Sequence, residues 1–204
     1  MSHGTSVALA GRRSVTFAAA ANLADVDAFK SAAATPTSAV TYSAADLDGV
    51  LANPGPSTDA KMLVPRYPSV TSTANAATYN TTDAIQFHGT YGGESVTRSA
   101  TLTDANGDET IIADGPLDTL TSIDVPAQLL AGGTLAFGFS GIGRRRRNGV
   151  DQRLVFYPAA DGTVKVGYPD GITDSMPVQA YLVAPASPYR IYADTTDVGI
   201  TVLE

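Results

Sequence analysis

Four consecutive guanidinium groups, Arg144-Arg145-Arg146-Arg147, form the cluster in this chain that most needs a chemical cause. Adjacent arginines repel one another, and on a hairpin their side chains must splay to both faces. Arginine is favoured where planar, two-pronged contacts to carboxylate or phosphate form. The flanking Gly141, Gly143 and Gly149 let the backbone approach a partner closely. Three readings fit the run: contact with an acidic neighbouring subunit, contact with nucleic acid or another polyanion, or a solvated loop. The first leads. The formal net charge of −7 argues against a general nucleic-acid binder, because phosphate affinity needs an excess of cations. No aromatic residues alternate with the arginines, so base stacking is not expected either.

Other constellations carry less. Gly138-Phe139-Ser140-Gly141-Ile142 comes close to a nucleophile elbow but lacks its last glycine and the helix that should follow. His3 and His88 both precede Ser140, whereas that fold supplies its histidine afterwards. Asp104, Asn106 and Asp108 copy the first spacings of a calcium loop, yet Glu109 stands where its glycine should be and Gly115 where its last carboxylate should be. With 20 acidic residues some carboxylate pair will always lie close, so a glycosidase pattern carries no information. Cysteine and tryptophan are absent, which removes thiolate metal sites, disulfides and an indole platform for sugars. His88 should face solvent from the polar side of its strand. No catalytic residue, metal or cofactor is expected; the partner-binding candidates are Arg144, Arg145, Arg146 and Arg147.

The elements that must carry these residues read as strands. Ile85, Phe87, Gly89 and Tyr91 alternate with Gln86, His88 and Thr90, and Gly92-Gly93 should turn the chain into a return strand. On that return Val96, Ala100 and Leu102 share a face, with Arg98 intruding on it. Asn106-Gly107 should form a second hairpin tip with positive φ angles. Lys61–Tyr67 is a strand whose Pro65 restricts it to an edge or a bulge. Further strands are expected at Ile111-Ile112, 119–125, 134–140, 154–156, 164–168, 178–183, 190–192 and 198–203, with a loop from Gly141 to Gly149. Turn signals recur about every eight to twelve residues, which indicates an antiparallel all-β sandwich or barrel.

Residues 1–60 differ, being alanine-rich with two weak helical patterns. Leu23, Val26 and Phe29 recur at a spacing of three after Asn22, and Ser43 with Asp46 imitates a capping box ahead of Leu47. The expected division is an N-terminal arm with short helices, partly helical or extended, over 1–60, and a β-sandwich over 61–204. Arg12-Arg13 before an apolar run imitates an export signal, but an extended arm or edge strand is the better reading. No run of about eighteen apolar residues occurs, so no helix should span a membrane.

The segments VPRYPSVTSTANAATYNTTDAI (64–85) and SPYRIYADTTDVGITVLE (187–204), with the Ala/Thr/Gly-rich strands, resemble auxiliary structural proteins of tailed bacteriophage virions. The resemblance is one of style and carries over no functional residue. It implies a non-enzymatic capsid decoration (cement) subunit located in the virion. Such a subunit would bind the major capsid protein or other virion subunits as a homo-oligomer, with a trimer favoured, through arms at 1–40 and 184–204. A tail, neck or baseplate subunit is the alternative, as is an adhesin for host glycans with its site around Tyr67, Tyr79 and Tyr91.

Overall fold

The computed structural model describes residues 14–17, 24–49, 60–73, 78–144, 146–147, 150–151, 155–168, 172–182, 188, 190–192, 198 and 200–203. Strands β1 (Ser14–Phe17), β2 (Ala24–Ala34), β3 (Val40–Ser43) and β4 (Ala60–Thr73) come first. They are followed by β5 (Ile85–Tyr91), β6 (Glu94–Ala100), β7 (Glu109–Ile112) and β8 (Leu117–Val125). The long β9 (Thr134–Gly143) leads to β10 (Arg146–Arg147), β11 (Val150–Asp151) and β12 (Val155–Pro158). The last strands are β13 (Gly162–Gly167), β14 (Thr173–Val178), β15 (Arg190–Ile191) and β16 (Ile200–Leu203). The protein is all-β, with antiparallel pairings, as the spacing of its turns predicts.

Among the described residues, eleven strands form one hydrogen-bonded network that folds over on itself. On one side β2, β9, β4 and β7 are neighbours; on the other, β3, β8, β5 and β6. The two halves join where the first part of β4 pairs with β8, and a register shift between Lys61 and Arg66 supplies the bend. Pro65 lies in that shift, so its missing donor falls at a bulge. The halves face each other across a core containing Phe29, Val70, Ile85, Phe87, Leu120, Ile123, Leu135 and Phe137. Phe137 meets Phe87 at 6.2 Å and Tyr42 at 5.9 Å between ring centroids. The alternation read in β5 is real: Ile85, Phe87, Gly89 and Tyr91 are all buried, and Gly92-Gly93 turns at φ 65 and 87.

A second, smaller core holds Ile142, Phe156, Val164, Val166, Met176, Val178, Ile191, Val198 and Ile200. Here β15, β13 and β14 continue the sheet beyond the end of β9, and β1, β16 and β12 form a separate three-stranded sheet. β1 is an edge strand, paired through Ser14–Leu203 to Phe17–Ile200. The strand β9 passes through both cores. It changes neighbour at Gly141, from β2 to β15, with φ 80 there. A Cβ at Gly141 would lie 2.5 Å from the carbonyl oxygen of Ile191, so this crossing point excludes side chains.

Several local expectations are corrected. The helix around Leu23, Val26 and Phe29 does not form; Ala24–Ala34 is β2, with register shifts between Asp25, Lys30 and Ala33. Those bulges turn the consecutive Ala28 and Phe29 into the core, breaking the period of two and mimicking a helical one. Ser43 N and Oγ do donate to Asp46 Oδ2, at 2.8 and 2.6 Å, but only a single 3-10 turn, Ala44–Asp46, follows. Leu47 goes extended so that it can bury itself. At the Asn106-Gly107 tip Gly107 does not take a positive φ. The Glu109 carboxylate instead gathers Thr103 N, Thr103 Oγ1 and Asp104 N at 2.7, 2.6 and 3.0 Å. Finally, the loop predicted from Gly141 starts later, because Ile142 is needed in the second core and holds β9 extended to Gly143.

Candidate interaction surface

The arginine run begins where β9 ends. Arg146 and Arg147 form a two-residue ladder with Val150 and Asp151, so the run is half strand rather than all loop. Arg144 Nε donates to the carbonyl of Pro188 at 2.7 Å, and the Arg144 carbonyl accepts from the Tyr91 hydroxyl at 2.8 Å. Arg146 lies 3.4 Å from the Glu94 carboxylate. The β5–β6 turn seats against it: a Cβ on Gly92 would fall 2.8 Å from Arg146 Cβ, and Gly92 N donates to Asp118 Oδ2 at 2.7 Å. Arg144 and Arg146 therefore have duties inside the molecule, fastening the run onto the distant hairpin. The side chains of Arg145 and Arg147 lie outside the described residues.

Sequence reasoning missed a second set of arginines at the joint between the cores. Arg190 lies over two rings, 4.1 Å from the Tyr67 centroid and 4.3 Å from that of Tyr192. Its Nη2 donates to the Ser140 carbonyl at 3.0 Å. Lys165 Nζ also stands 5.0 Å from the Tyr192 ring, so β13, β15 and β4 are linked by one series of cations and rings. Arg66 is buried 4.3 Å over Phe139, and burial pushes its pKa down to about 10, only partly offset by Asp25. Burial likewise pushes Asp25 up, reinforced by Asp27. Arg98, the intruder on the apolar face of β6, stacks 5.6 Å from Tyr91 and donates to the Pro116 carbonyl at 3.1 Å. The signal is present as Arg and Tyr scattered over 66–67, 91–98 and 190–192, but their meeting depends on strand order.

Across the outer face of β6, β5, β8 and β3 runs a chain of polar contacts. Thr97 Oγ1 lies 3.0 Å from His88 Nδ1, and His88 Nε2 lies 2.9 Å from Asp124 Oδ2. Thr41 Oγ1 donates to Asp124 Oδ1 at 2.7 Å. A carboxylate only accepts, so the imidazole turns its Nε2–H toward Asp124, while Nδ1 accepts the Thr97 hydroxyl in the neutral ring and donates to it in the protonated one. A shallow groove of about 250 Å³ runs beside it, lined by His88, Thr90, Ser95, Thr97 and Thr121. His88 is thus on the polar face as expected, but it braces strands. The bonds from Thr41 and then His88 hold the Asp124 carboxyl below its ordinary pKa. Such a group stabilises the fold above the ordinary pKa and loses that effect as pH falls through its lowered one. Asp124→Asn should therefore narrow the difference in urea midpoint between pH 7 and pH 3, while lowering stability at pH 7 by about 0.5 kcal/mol or less.

The tyrosines considered for glycan stacking are not presented to solvent: Tyr67, Tyr79 and Tyr91 are 9%, 0% and 7% exposed. Tyr79 places its hydroxyl at the carbonyls of Thr73 and Thr134. The exposed large apolar side chains include Leu129 and Leu130, on a loop pinned through Thr78 O and the buried Gln128. Another is Tyr181, 78% exposed and held at φ 61. Because that angle crowds any Cβ against the backbone, Tyr181→Gly should raise stability by about 1 kcal/mol in thermal unfolding. Comparison with family models, with curated proteins and with solved structures returns no match.

Proposed function

We propose that this protein is a non-enzymatic structural subunit of a virion, a capsid decoration component that docks on neighbouring capsid proteins. The observation that carries the docking is Leu129 and Leu130, 60% and 54% exposed on a loop whose backbone bonds to the Thr78 and Pro36 carbonyls and, at Ala127 O, to the Asn80 side chain. An apolar pair presented rigidly meets a partner with little ordering entropy left to lose. The arginine hairpin, on a body of net charge −7, adds an oriented electrostatic contact to an acidic neighbour. The virion setting rests on the likeness of residues 64–85 and 187–204 to auxiliary phage proteins.

The test is immunogold labelling of phage particles produced from the genome that encodes this chain. Regular label over the capsid is the expected result; label confined to the tail or neck would move the subunit there, and unlabelled particles would end the proposal. The electrostatic part has its own readout. Changing Arg144, Arg145, Arg146 and Arg147 together to alanine should weaken binding to capsids at least tenfold. Wild-type binding should weaken from about 50 to about 500 mM salt, as the screening length shrinks from about 14 to about 4 Å. Since Arg144 and Arg146 also hold the β5–β6 turn, the urea midpoint of the variant is measured alongside its binding, and a binding loss with an unchanged midpoint is the electrostatic effect.

A further inference from the structure

We infer that the edge strand β6 pairs with β6 of a second copy of this chain, antiparallel and centred on Val96. The sheet ends at β6 among the described residues, so one side of this strand has no neighbouring strand. Which groups point outward follows from the hairpin. In a two-residue hairpin the flanking pair, Tyr91 and Glu94, exchanges both backbone hydrogen bonds, and bonded pairs then alternate. Glu94, Val96, Arg98 and Ala100 therefore bond inward to β5, while Ser95, Thr97 and Ser99 direct N–H and C=O outward. Ser99 agrees independently: its N donates to Asp114 Oδ1 at 3.0 Å, and its carbonyl accepts Asp114 N at 3.1 Å. Asp114 thus closes the edge at Ser99, and the Gly92-Gly93 turn closes it at the other end.

What stays open is the stretch around Ser95 and Thr97, both exposed, and it is self-complementary. Rotating a second copy about Val96 places Ser95 against Thr97 of the other chain and Thr97 against its Ser95, two pairs able to exchange four backbone hydrogen bonds. The same rotation sets Glu94 against the other copy's Arg98, and Arg98 against its Glu94, beside the contacts that Glu94 makes with Arg146 and Arg98 with the Pro116 carbonyl inside each chain. Opposite charges flank a central Val96–Val96 contact, which suits a partner with this strand's own charge order. Centring on Glu94 would set like charges together, and centring on Thr97 would run Ser95 into the Ser99–Asp114 closure; centring on Ser95 leaves Glu94 and Arg98 with no opposite charge across the seam. Because both copies use the same patch, the contact is two-fold and closes as a dimer, unlike the trimer that the phage resemblance favours. The ladder is short, so the dimer should be weak and should dissociate at low micromolar concentration. This inference does not rest on the virion assignment.

Sedimentation equilibrium of the full chain, from about micromolar to about millimolar, should show monomer passing to dimer. Ser95→Pro removes an outward N–H without touching the β5 ladder and should weaken association at least tenfold, with an unchanged far-ultraviolet spectrum. Val96→Cys gives the direct geometric readout. The facing Cα atoms of a non-bonded pair lie about 4.5 Å apart, within the roughly 4.4 to 6.8 Å that a disulfide spans. This otherwise cysteine-free chain should then oxidise to a covalent dimer. A protein that stays monomeric at every concentration would overturn the inference, and so would a dimer indifferent to Ser95→Pro and to Val96→Cys oxidation. Neither result bears on whether the protein labels a capsid.

Discussion

Phe137→Ala should destabilise the protein by about 3–5 kcal/mol, read as a drop in the urea midpoint with an unchanged slope. Phe137 is fully buried at the middle of β9, where both halves of the larger sandwich converge on it. Removing the ring leaves a cavity walled by Phe87 and Tyr42, which are held by separate strands and cannot close together. Surface substitutions of similar kind, such as Leu130→Ala, should change stability by no more than about 0.5 kcal/mol. A loss of less than about 1 kcal/mol at Phe137 would mean that the two halves do not pack as described.

Arg190→Ala should have the second-largest effect, about 3 kcal/mol, and of a different kind. It removes stacking on Tyr67 and Tyr192, worth about 0.5–2 kcal/mol per ring, together with a charged hydrogen bond to Ser140 O. These contacts tie β15 to β4 and β9 at the joint, so their loss should fall on the smaller core. Unfolding should then split into two steps, the core of Phe156, Val166 and Ile200 melting before that of Phe87 and Phe137. Tyrosine fluorescence and far-ultraviolet circular dichroism would no longer trace one transition. Arg190→Lys should recover only part of the loss, because an ammonium keeps the charge but lacks the planar face of a guanidinium. A single coincident transition in Arg190→Ala would show that the joint does not depend on this side chain.

Period-two alternation in β5 and the Gly92-Gly93 turn are legible in the chain itself, because each depends on residues close in sequence; Pro65 restricts its strand to an edge or a bulge, and the pairing of β4 with β8 makes it a bulge. The same locality makes the cross-strand meeting of His88 with Thr97 inferable, since a two-residue turn sets the register of its own hairpin. Asp124, which completes that contact, comes from β8 and is not inferable in this way. Bulges hide β2, because they place neighbouring residues on the same face and so imitate a helix. The arginine run is visible as a string of letters, but its fastening to Glu94, Tyr91 and Pro188 is not.

By itself the order of residues determined an all-β chain, its Gly92-Gly93 turn and its net acidity, all consequences of local conformational preference and composition. Only the tertiary structure decided that there are two cores, that β9 serves both, and that Arg66 and Arg190 are stacked at the joint. Those outcomes depend on which distant strands become neighbours. That choice is made by the burial of whole faces at once, and no window of adjacent residues contains it.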